Sequence, residues 1–402
     1  MLHGLKEPAA VVFDLFETGL GVSRSLGQKG IKVIGIDYKK DIGWYSRYVK
    51  PYKCPHPVDE ENKFLNWLHS RFTGIEKKLP VFFTSDNFLK IFSKYRSFLS
   101  EYFLFNLSEH DLLEKIYDKY TQYLLALNNG IPVPCTWKIN DFQDIDKLPH
   151  NINFPAFIKG QEVNSWRKNF GGTLKGIKVN DRKELLKEVE EIISKKVPII
   201  VQEIITGPDT NHFKYCSYTD ARGNILAEFT LRKIRQWPVH FGVGAVVESV
   251  YKPELIDVGR KLFTSIGYKG IGSAEFKIDE RDGKLKLIEI NPRYWQQNYL
   301  ATACGINFPY INYFDLVEGN YGCARSFKEG IKWINIYMDF NALAAYKKEG
   351  VITFYEWIKS LKGKKIYHDF IWTDPLPLFY EIRFGKKLYK IPGYLWKKLF
   401  RK

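Results

Sequence analysis

The 402-residue sequence is 45% hydrophobic and 16% aromatic, enough for two or three domains with cores of their own, and no run of about 18 or more apolar residues marks a membrane-spanning helix. Cys54, Cys135, Cys216, Cys304 and Cys323 are odd in number and form no CxxC pair, which argues against a zinc site or a disulfide framework and makes a reducing cytoplasm the expected home. The net charge of +16 predicts attraction to polyanions without choosing among nucleotides, nucleic acid and an anionic membrane, and the opening Met-Leu-His-Gly-Leu-Lys lacks the layout of a secretion signal.

Residues 9–38 read as strand, loop, helix and strand. Ala9-Ala-Val-Val-Phe13 is a buried strand, Thr18-Gly19-Leu-Gly21 opens a helix that Gly30 stops, and Ile31-Lys-Val-Ile-Gly-Ile-Asp37 is the next strand. A doubly wound, Rossmann-like α/β domain starts this way. A nicotinamide dinucleotide suits it poorly. Gly19 and Gly21 match the glycine fingerprint and Asp37 is placed for a ribose, but Arg24 stands at the third glycine position. Leu79-Pro-Val-Phe-Phe-Thr-Ser-Asp86 is another strand of this domain, its polar end directed at a cleft.

Near residue 110 the texture changes. The spacing of Leu112, Leu113, Ile116, Tyr120, Tyr123, Leu124 and Leu127 predicts one amphipathic helix over 111–128, stopped by Asn129-Gly130. A stiff Ile131-Pro-Val-Pro134 follows, then a short strand, Phe154-Pro-Ala-Phe-Ile-Lys159. Lys159 is a point charge suited to phosphate oxygens, and Gly171-Gly172-Thr173 is a loop whose N–H groups can close on them. A strand at 176–179 and a charged helix near 182–194 lead to Val197-Pro-Ile-Ile-Val-Gln202-Glu203-Ile-Ile205-Thr-Gly207. This segment offers an apolar wall and edge groups to a purine, and Asp209 is placed to accept from ribose hydroxyls.

Gly272-Ser-Ala-Glu275-Phe and Leu287-Ile-Glu289-Ile-Asn291-Pro-Arg293 read as two strands of a hairpin turning at Asp282-Gly283. Strict alternation cannot put Lys284, Lys286, Glu289 and Asn291 on one face, so the register must shift near Leu287-Ile288. Beyond that shift Glu289 and Asn291 point the same way, with Glu275 facing them. Three oxygen donors without Cys or His suit a hard cation such as Mg2+, with Mn2+ as the alternative, and Arg293 adds a planar fork for phosphate or carboxylate.

The order of these elements resembles the ATP-grasp superfamily. It is carried over roughly 9–320 by Asp118-Lys119-Tyr, Gly130-Ile-Pro-Val-Pro134, the Lys159 strand, Val-Gln202-Glu203…Gly207 and, most specifically, Glu275…Glu289-Ile-Asn291-Pro-Arg293. The resemblance implies an α/β and α+β chain. A Rossmann-like pre-ATP-grasp domain spans 1–110, a two-lobed ATP-grasp domain spans 111–325 (lobes about 111–200 and 201–325), and a helical, basic C-terminal extension spans 326–402. It implies that Lys119 and Lys159 contact ATP phosphates with the Gly171-Gly172 loop. Gln202, Glu203 and Ile205 line the adenine pocket with Asp209 toward the ribose, and Glu275, Glu289 and Asn291 hold Mg2+. Arg293 would steady the transferred phosphate. Within the superfamily the carboxylate–amine ligase branch, which includes D-aspartate ligases of cell-wall assembly, is the better match, through Leu231-Arg232-Lys233-Ile-Arg235-Gln236. Arg232 and Lys233 are then expected on the substrate carboxylate or the phosphates. The implied reaction joins a small carboxylate to an amine at the expense of ATP, in a cytoplasmic and dimeric enzyme that takes no nucleic acid. A carboxylase-like outcome, a nucleic-acid-binding module and an NAD-dependent protein are the alternatives. Trp166-Arg167-Lys168 departs from the small-residue run usual before the glycine loop.

Beyond about 325 the resemblance ends. Residues 333–357 read as largely helical, Asp374-Pro-Leu-Pro-Leu as stiff, and 384–402 as a run of Lys, Arg and large apolar residues without an acid. That tail suits the surface of an anionic membrane, with Tyr394 and Trp396 at the interface.

Overall fold

Apolar runs too short for helices and bounded by Gly, Pro and Asp build three sheets. In the computed structural model, residues 8–170, 176–319 and 321–384 are described. The first sheet is parallel, ordered β3-β2-β1-β4-β5, from β1 (Ala9–Phe13), β2 (Lys32–Asp37), β3 (Val49–Lys53), β4 (Leu79–Phe83) and β5 (Phe103–Leu104). All five residues of β1 are buried, as a central parallel strand requires. The glycines of the Glu17–Gly27 helix serve packing. A Cβ on Gly19 would lie 2.0 Å from the Asp14 carbonyl oxygen, and one on Gly21 would lie 2.7 Å from the Asn298 side chain. Both glycines are thus accounted for without a dinucleotide.

The second sheet, ordered β6-β9-β7-β8, is antiparallel and comprises β6 (Thr136–Ile139), β7 (Ala156–Gly160), β8 (Ile177–Val179) and β9 (Ile199–Glu203). Its own core joins Ile158, Val201 and Val179 to Leu185, Val189 and Ile192 of the Arg182–Ser194 helix. The third sheet has seven strands, β10 (His212–Thr219), β11 (Ile225–Trp237), β12 (Val243–Ser249), β13 (Gly270–Ile278), β14 (Leu285–Asn291), β15 (Lys332–Ile334) and β16 (Lys365–Tyr367), ordered β14-β13-β10-β11-β12-β15-β16. One of its faces packs on the Pro253–Ser265 helix through Tyr215, Phe276, Leu262 and Phe263. The other shares a core with the first domain, where Val22 and Leu26 join Phe229, Leu231 and Trp295.

The single helix expected over 111–128 is two, His110–Tyr117 and Lys119–Asn128. Asp118 sits between them in extended backbone, and its carboxylate accepts the Thr121 N–H at 2.8 Å, so it caps the second helix instead of continuing the first. The break turns a new face inward. Gln122, Tyr123 and Ala126 are buried, while Leu124 and Leu127, expected in the core, are 39% and 55% exposed.

Residues beyond 325 are woven into both neighbours. β15 pairs with β12 and carries β16 parallel to itself. From the Ile336–Lys348 helix, Asp339 is buried against Arg235 and accepts the Trp357 indole N–H at 2.8 Å. The stiff Asp374 segment docks on the first domain. Buried Arg24 donates to Asp374 Oδ2 at 3.0 Å and to the carbonyls of His368 and Asp369 at 2.8 and 2.9 Å, and the Ser46 hydroxyl and Arg47 N–H complete the Asp374 carboxylate at 2.8 Å each. Among the described residues no helix is long and apolar enough to cross a membrane.

Removing one partner of a buried ion pair strands the other charge. Asp374→Asn is expected to cost about 3 kcal/mol, read as a lower urea midpoint and as faster proteolytic cutting within residues 365–384. An unchanged midpoint and cutting pattern would show that the pair does not hold this segment.

Candidate active site

The site is built on the β13–β14 hairpin. Its register slips by one residue at Ile288, where the sequence requires a shift, so that Glu275 stands directly opposite Glu289 and Ser273 opposite Asn291. Two like charges face to face destabilise a sheet, and cations surround them. Lys214, opposite Glu275 on β10, and Lys233 on β11 each reach Glu275 at 3.0 Å, one on each oxygen. Burial raises the Glu275 carboxyl, but the two ammonium groups outweigh it and hold it well below the ordinary carboxylate range. Lys119, at the first turn of its helix, closes on Glu289. Just past the strand, Arg293 donates Nε to Asp86 Oδ1 at 2.9 Å and Nη1 to the Tyr294 carbonyl at 3.1 Å. The polar end of β4 therefore does meet the cleft, through Asp86.

The first lobe presents a matching wall. In the β7–β9 register Phe157 stands opposite Gln202 and Lys159 opposite Ile200, so Phe157, Lys159 and Gln202 share one face. Lys159 donates to the Tyr123 hydroxyl at 3.0 Å and lies 5.1 Å from that ring's centre, and the Tyr123 hydroxyl in turn donates to the carbonyl of Ile288, the bulge residue. Burial pushes the Lys159 ammonium down to about 8, with the Glu289 charge pulling the other way. Gln202 donates to Thr136 Oγ1 at 2.7 Å, and Ile205 is buried just beyond the strand. From the second lobe, the Phe241 ring stacks on Phe157 at 4.5 Å and 15°.

Other expected ligands are placed differently. Arg232 and Lys233 are consecutive in a strand and point to opposite faces. Lys233 joins Glu275, while Arg232 pairs with Glu248 at 2.9 Å on the far side, so of the two residues expected together only Lys233 is brought to the cleft. The Glu203 carboxylate turns from the Gln202 face. It accepts the Cys135 N–H at 3.2 Å and pairs with Arg281 and Lys286 at 3.4 and 3.5 Å, while its own N–H donates to the Cys135 carbonyl at 3.0 Å. Asp209 accepts the Tyr346 hydroxyl and the His240 N–H, the latter at 2.9 Å, which engages the oxygen expected to meet a ribose. Gly171 and Gly172 lie outside the described residues.

Lys119, Lys159, Lys233, Glu275, Glu289, Asn291 and Arg293 are therefore brought to one cleft. Lys214 and Tyr123 belong with them and were not read from the sequence as site residues, and Asp86 was read only as part of a polar strand end. For Lys214 the signal was present, since a lysine within the otherwise apolar His212-Phe-Lys-Tyr-Cys run must be buried and paired. Five cations, Lys119, Lys159, Lys214, Lys233 and Arg293, meet three carboxylates, Glu275, Glu289 and Asp86. The cleft is left positive, as a polyphosphate requires.

No protein-family model matches the chain. Among curated proteins, the chain is 24% identical over 336 residues to a D-aspartate ligase of Enterococcus faecium (strain Aus0004), covering 75% of this chain and 79% of that one. Among solved structures, an L-amino acid ligase from Bacillus licheniformis superimposes with a TM-score of 0.59 at 15% identity, covering 78% of this chain and 74% of the other. The biotin carboxylase domain of 2-oxoglutarate carboxylase from Hydrogenobacter thermophilus, in complex with MgADP, ADP and bicarbonate, gives a TM-score of 0.60 at 17% identity over 79% of this chain and 71% of that one. The three sheets are thus arranged as in these enzymes.

The lowered Lys159 pKa sets a pH dependence. The folded protein releases this proton near pH 8 and the unfolded chain near 10.5, so the cost of burying the charge is fully present below pH 8 and disappears as pH rises through 10.5. Lys159→Met is expected to stabilise the free protein at pH 7 by up to about 3 kcal/mol, with the gap narrowing above pH 8 and closing as pH passes 10.5 in urea titrations. A variant no more stable than wild type at pH 7 would refute the buried charge.

Proposed function

We propose that the chain is an ATP-grasp enzyme, an ATP-dependent carboxylate–amine ligase. The observation that carries this reading is the cross-strand pair of Glu275 and Glu289, with Asn291 one pleat on, facing Lys119 and Lys159 from the other wall of the cleft.

The donor set tests well for Mg2+. Glu289 and Asn291 are half-buried oxygen donors on one strand face, and oxygen donors are what Mg2+ takes. Both oxygens of Glu275 are paired with ammonium groups, so Glu289 and Asn291 would hold the ion and Glu275 would join them only if Lys214 or Lys233 gave up its pair. When bound, the ion draws charge from the phosphates of the nucleotide. The chain's own groups do the rest. Lys119 and Lys159 neutralise phosphate oxygens, and a phosphate beside Lys159 restores the proton that burial loosens. Gln202, the Glu203 backbone and Ile205 form the purine wall. Arg293, oriented by Asp86, turns its remaining N–H groups to the transferring phosphoryl group. Lys233 orients the substrate carboxylate, which attacks the γ-phosphorus and displaces ADP. The amine then attacks the acyl phosphate carbon, and phosphate leaves. No protein nucleophile is needed, since positioning and charge carry the rate. The D-aspartate ligase relative supports an amino acid as one substrate, and the setting proposed for the reaction is cell-wall or surface-polysaccharide biosynthesis.

Thermal unfolding with Mg-ATP, with ATP plus chelator and with NADH tests the site. Saturation at about 100 times the dissociation constant adds roughly 2.7 kcal/mol. A shift that needs both ATP and Mg2+ and is lost in Glu289→Ala is expected, with that variant folded but without turnover in assays of ADP release over acid and amine pairs. An active Glu289→Ala protein would overturn the metal assignment, and a shift with NADH alone would overturn the ligase reading. ADP release that requires bicarbonate in place of an organic acid would make the outcome a carboxylation.

A further inference from the structure

The third sheet ends at β14, and among the described residues no strand covers its outer edge. An edge strand presents a row of backbone groups that need partners. Here they find them outside the sheet. The Leu287 N–H donates to the Pro132 carbonyl at 2.8 Å, the Ile288 carbonyl accepts the Tyr123 hydroxyl, and the Ile290 N–H donates to the Gln122 side-chain oxygen. Gln122 and Tyr123 lie three and four residues after Lys119 in the Lys119–Asn128 helix, so the three share one face, and Lys119 pairs with Glu289 of the same strand. The helix takes the place of a strand along the half of the hairpin that carries Glu289 and Asn291.

Its two central side chains differ in what they join. Gln122 turns its amide to the Ile116 carbonyl at 3.0 Å, which keeps it within its own surroundings. The Tyr123 hydroxyl accepts from Lys159 of the first lobe at 3.0 Å. An ammonium group has three N–H donors and no acceptor, and a hydroxyl has one proton to give. The order is therefore fixed as ammonium, hydroxyl, carbonyl, and each bond of such a chain polarises and strengthens the next. Two N–H groups of Lys159 remain for phosphate oxygens. At the other end, the Ile288 carbonyl belongs to the peptide group that leads into Glu289. A single oxygen atom, on a side chain that is 2% exposed, thus sets both the Lys159 ammonium and the backbone from which the Glu289 carboxylate projects.

We propose that Tyr123 is a positioning residue through which a phosphate on Lys159 and a divalent cation on Glu289 and Asn291 strengthen each other's binding. The inference rests on the nucleotide site of the ligase reading. Such coupling is reciprocal, so the cation raises the affinity for ATP by the factor by which ATP raises the affinity for the cation. A hydroxyl that served only to satisfy a buried carbonyl would change stability and leave that factor alone.

Isothermal titration of the full chain with ATP, once with MgCl2 and once with EDTA, gives the ratio of the two dissociation constants. The affinity of Mg2+ for free ATP is common to every variant, so a changed ratio belongs to the protein. Tyr123→Phe keeps the ring and removes one oxygen. Its ratio is expected to fall about fivefold or more below that of wild type, with the far-UV spectrum retained. Gln122→Met removes the neighbouring brace without touching Lys159, and is expected to lower the thermal midpoint while the ratio stays at the wild-type value. A wild-type ratio in Tyr123→Phe overturns the proposal and leaves the ligase reading standing. An equal fall in both variants overturns it too, since the helix would then brace the hairpin as a whole. Wild-type protein that binds ATP equally with and without Mg2+ has nothing to couple, and protein that binds no ATP overturns the nucleotide site itself and the proposal with it.

Discussion

Two carboxylates placed face to face across neighbouring strands are the constraint around which the cleft is arranged. Glu275 and Glu289 repel, and an unpaired buried carboxylate costs several kcal/mol. Each is compensated from a different part of the chain, Glu275 by Lys214 and Lys233 from the two adjoining strands and Glu289 by Lys119 from the helix that enters the first lobe. The compensation is polar and exchangeable. On the proposed function a phosphate would take the ammonium groups and a cation the carboxylates, so the free protein is held by the same charges that a nucleotide and its metal would share out anew. A hydrophobic pairing at these positions would have made a more stable sheet with nothing to offer a ligand.

That arrangement fixes the hairpin relative to two other bodies. Tyr123 ties the bulge at Ile288 to Lys159 and hence to the first lobe. Arg293 ties the end of β14 to Asp86 and hence to the first domain. The third sheet and the first domain already share a core, whereas the second sheet has a core of its own. The second sheet with its helix is therefore the piece joined through side-chain contacts at the cleft, among them Phe157 on Phe241 and Glu203 with Arg281, whereas Ile116 and Ala126 of the preceding helices pack in the core of the third sheet. Contacts of this kind can be exchanged for contacts to a ligand without unfolding either core.

Much of this was legible. The slip at Ile288 follows from alternation alone, because no straight strand places Glu289 and Asn291 with Glu275 while keeping Leu287 inside. The first domain followed from buried runs and the glycine that closes its first helix. What was lost depended on local geometry or distant partners. Asp118 has the same composition whether it continues a helix or caps a new one, and only its backbone decides. Arg232 and Lys233 read as one basic motif until alternation in β11 sends them to opposite faces. Glu203 reads as a purine acceptor until Arg281 and Lys286, about eighty residues later, claim it. Asp374 gives no local sign that it will meet Arg24.

The segment after residue 325 shows how such distant partners shape the site. Asp209, which follows β9 in sequence, is turned by the Tyr346 hydroxyl and the His240 N–H, and His240 in turn bonds Glu349 at 2.8 Å. Two of the three groups that set this carboxylate and the Phe241 loop beside it thus come from beyond 325. Burial favours a protonated Asp209, while the hydroxyl, the amide and the nearby imidazoles outweigh it and keep the carboxyl below its usual range. The carboxylate therefore stays charged and fastened, and it holds the His240–Phe241 turn against the first lobe. The C-terminal segment is for this reason part of the cleft's geometry, since the ring that stacks on Phe157 is positioned through contacts the segment supplies.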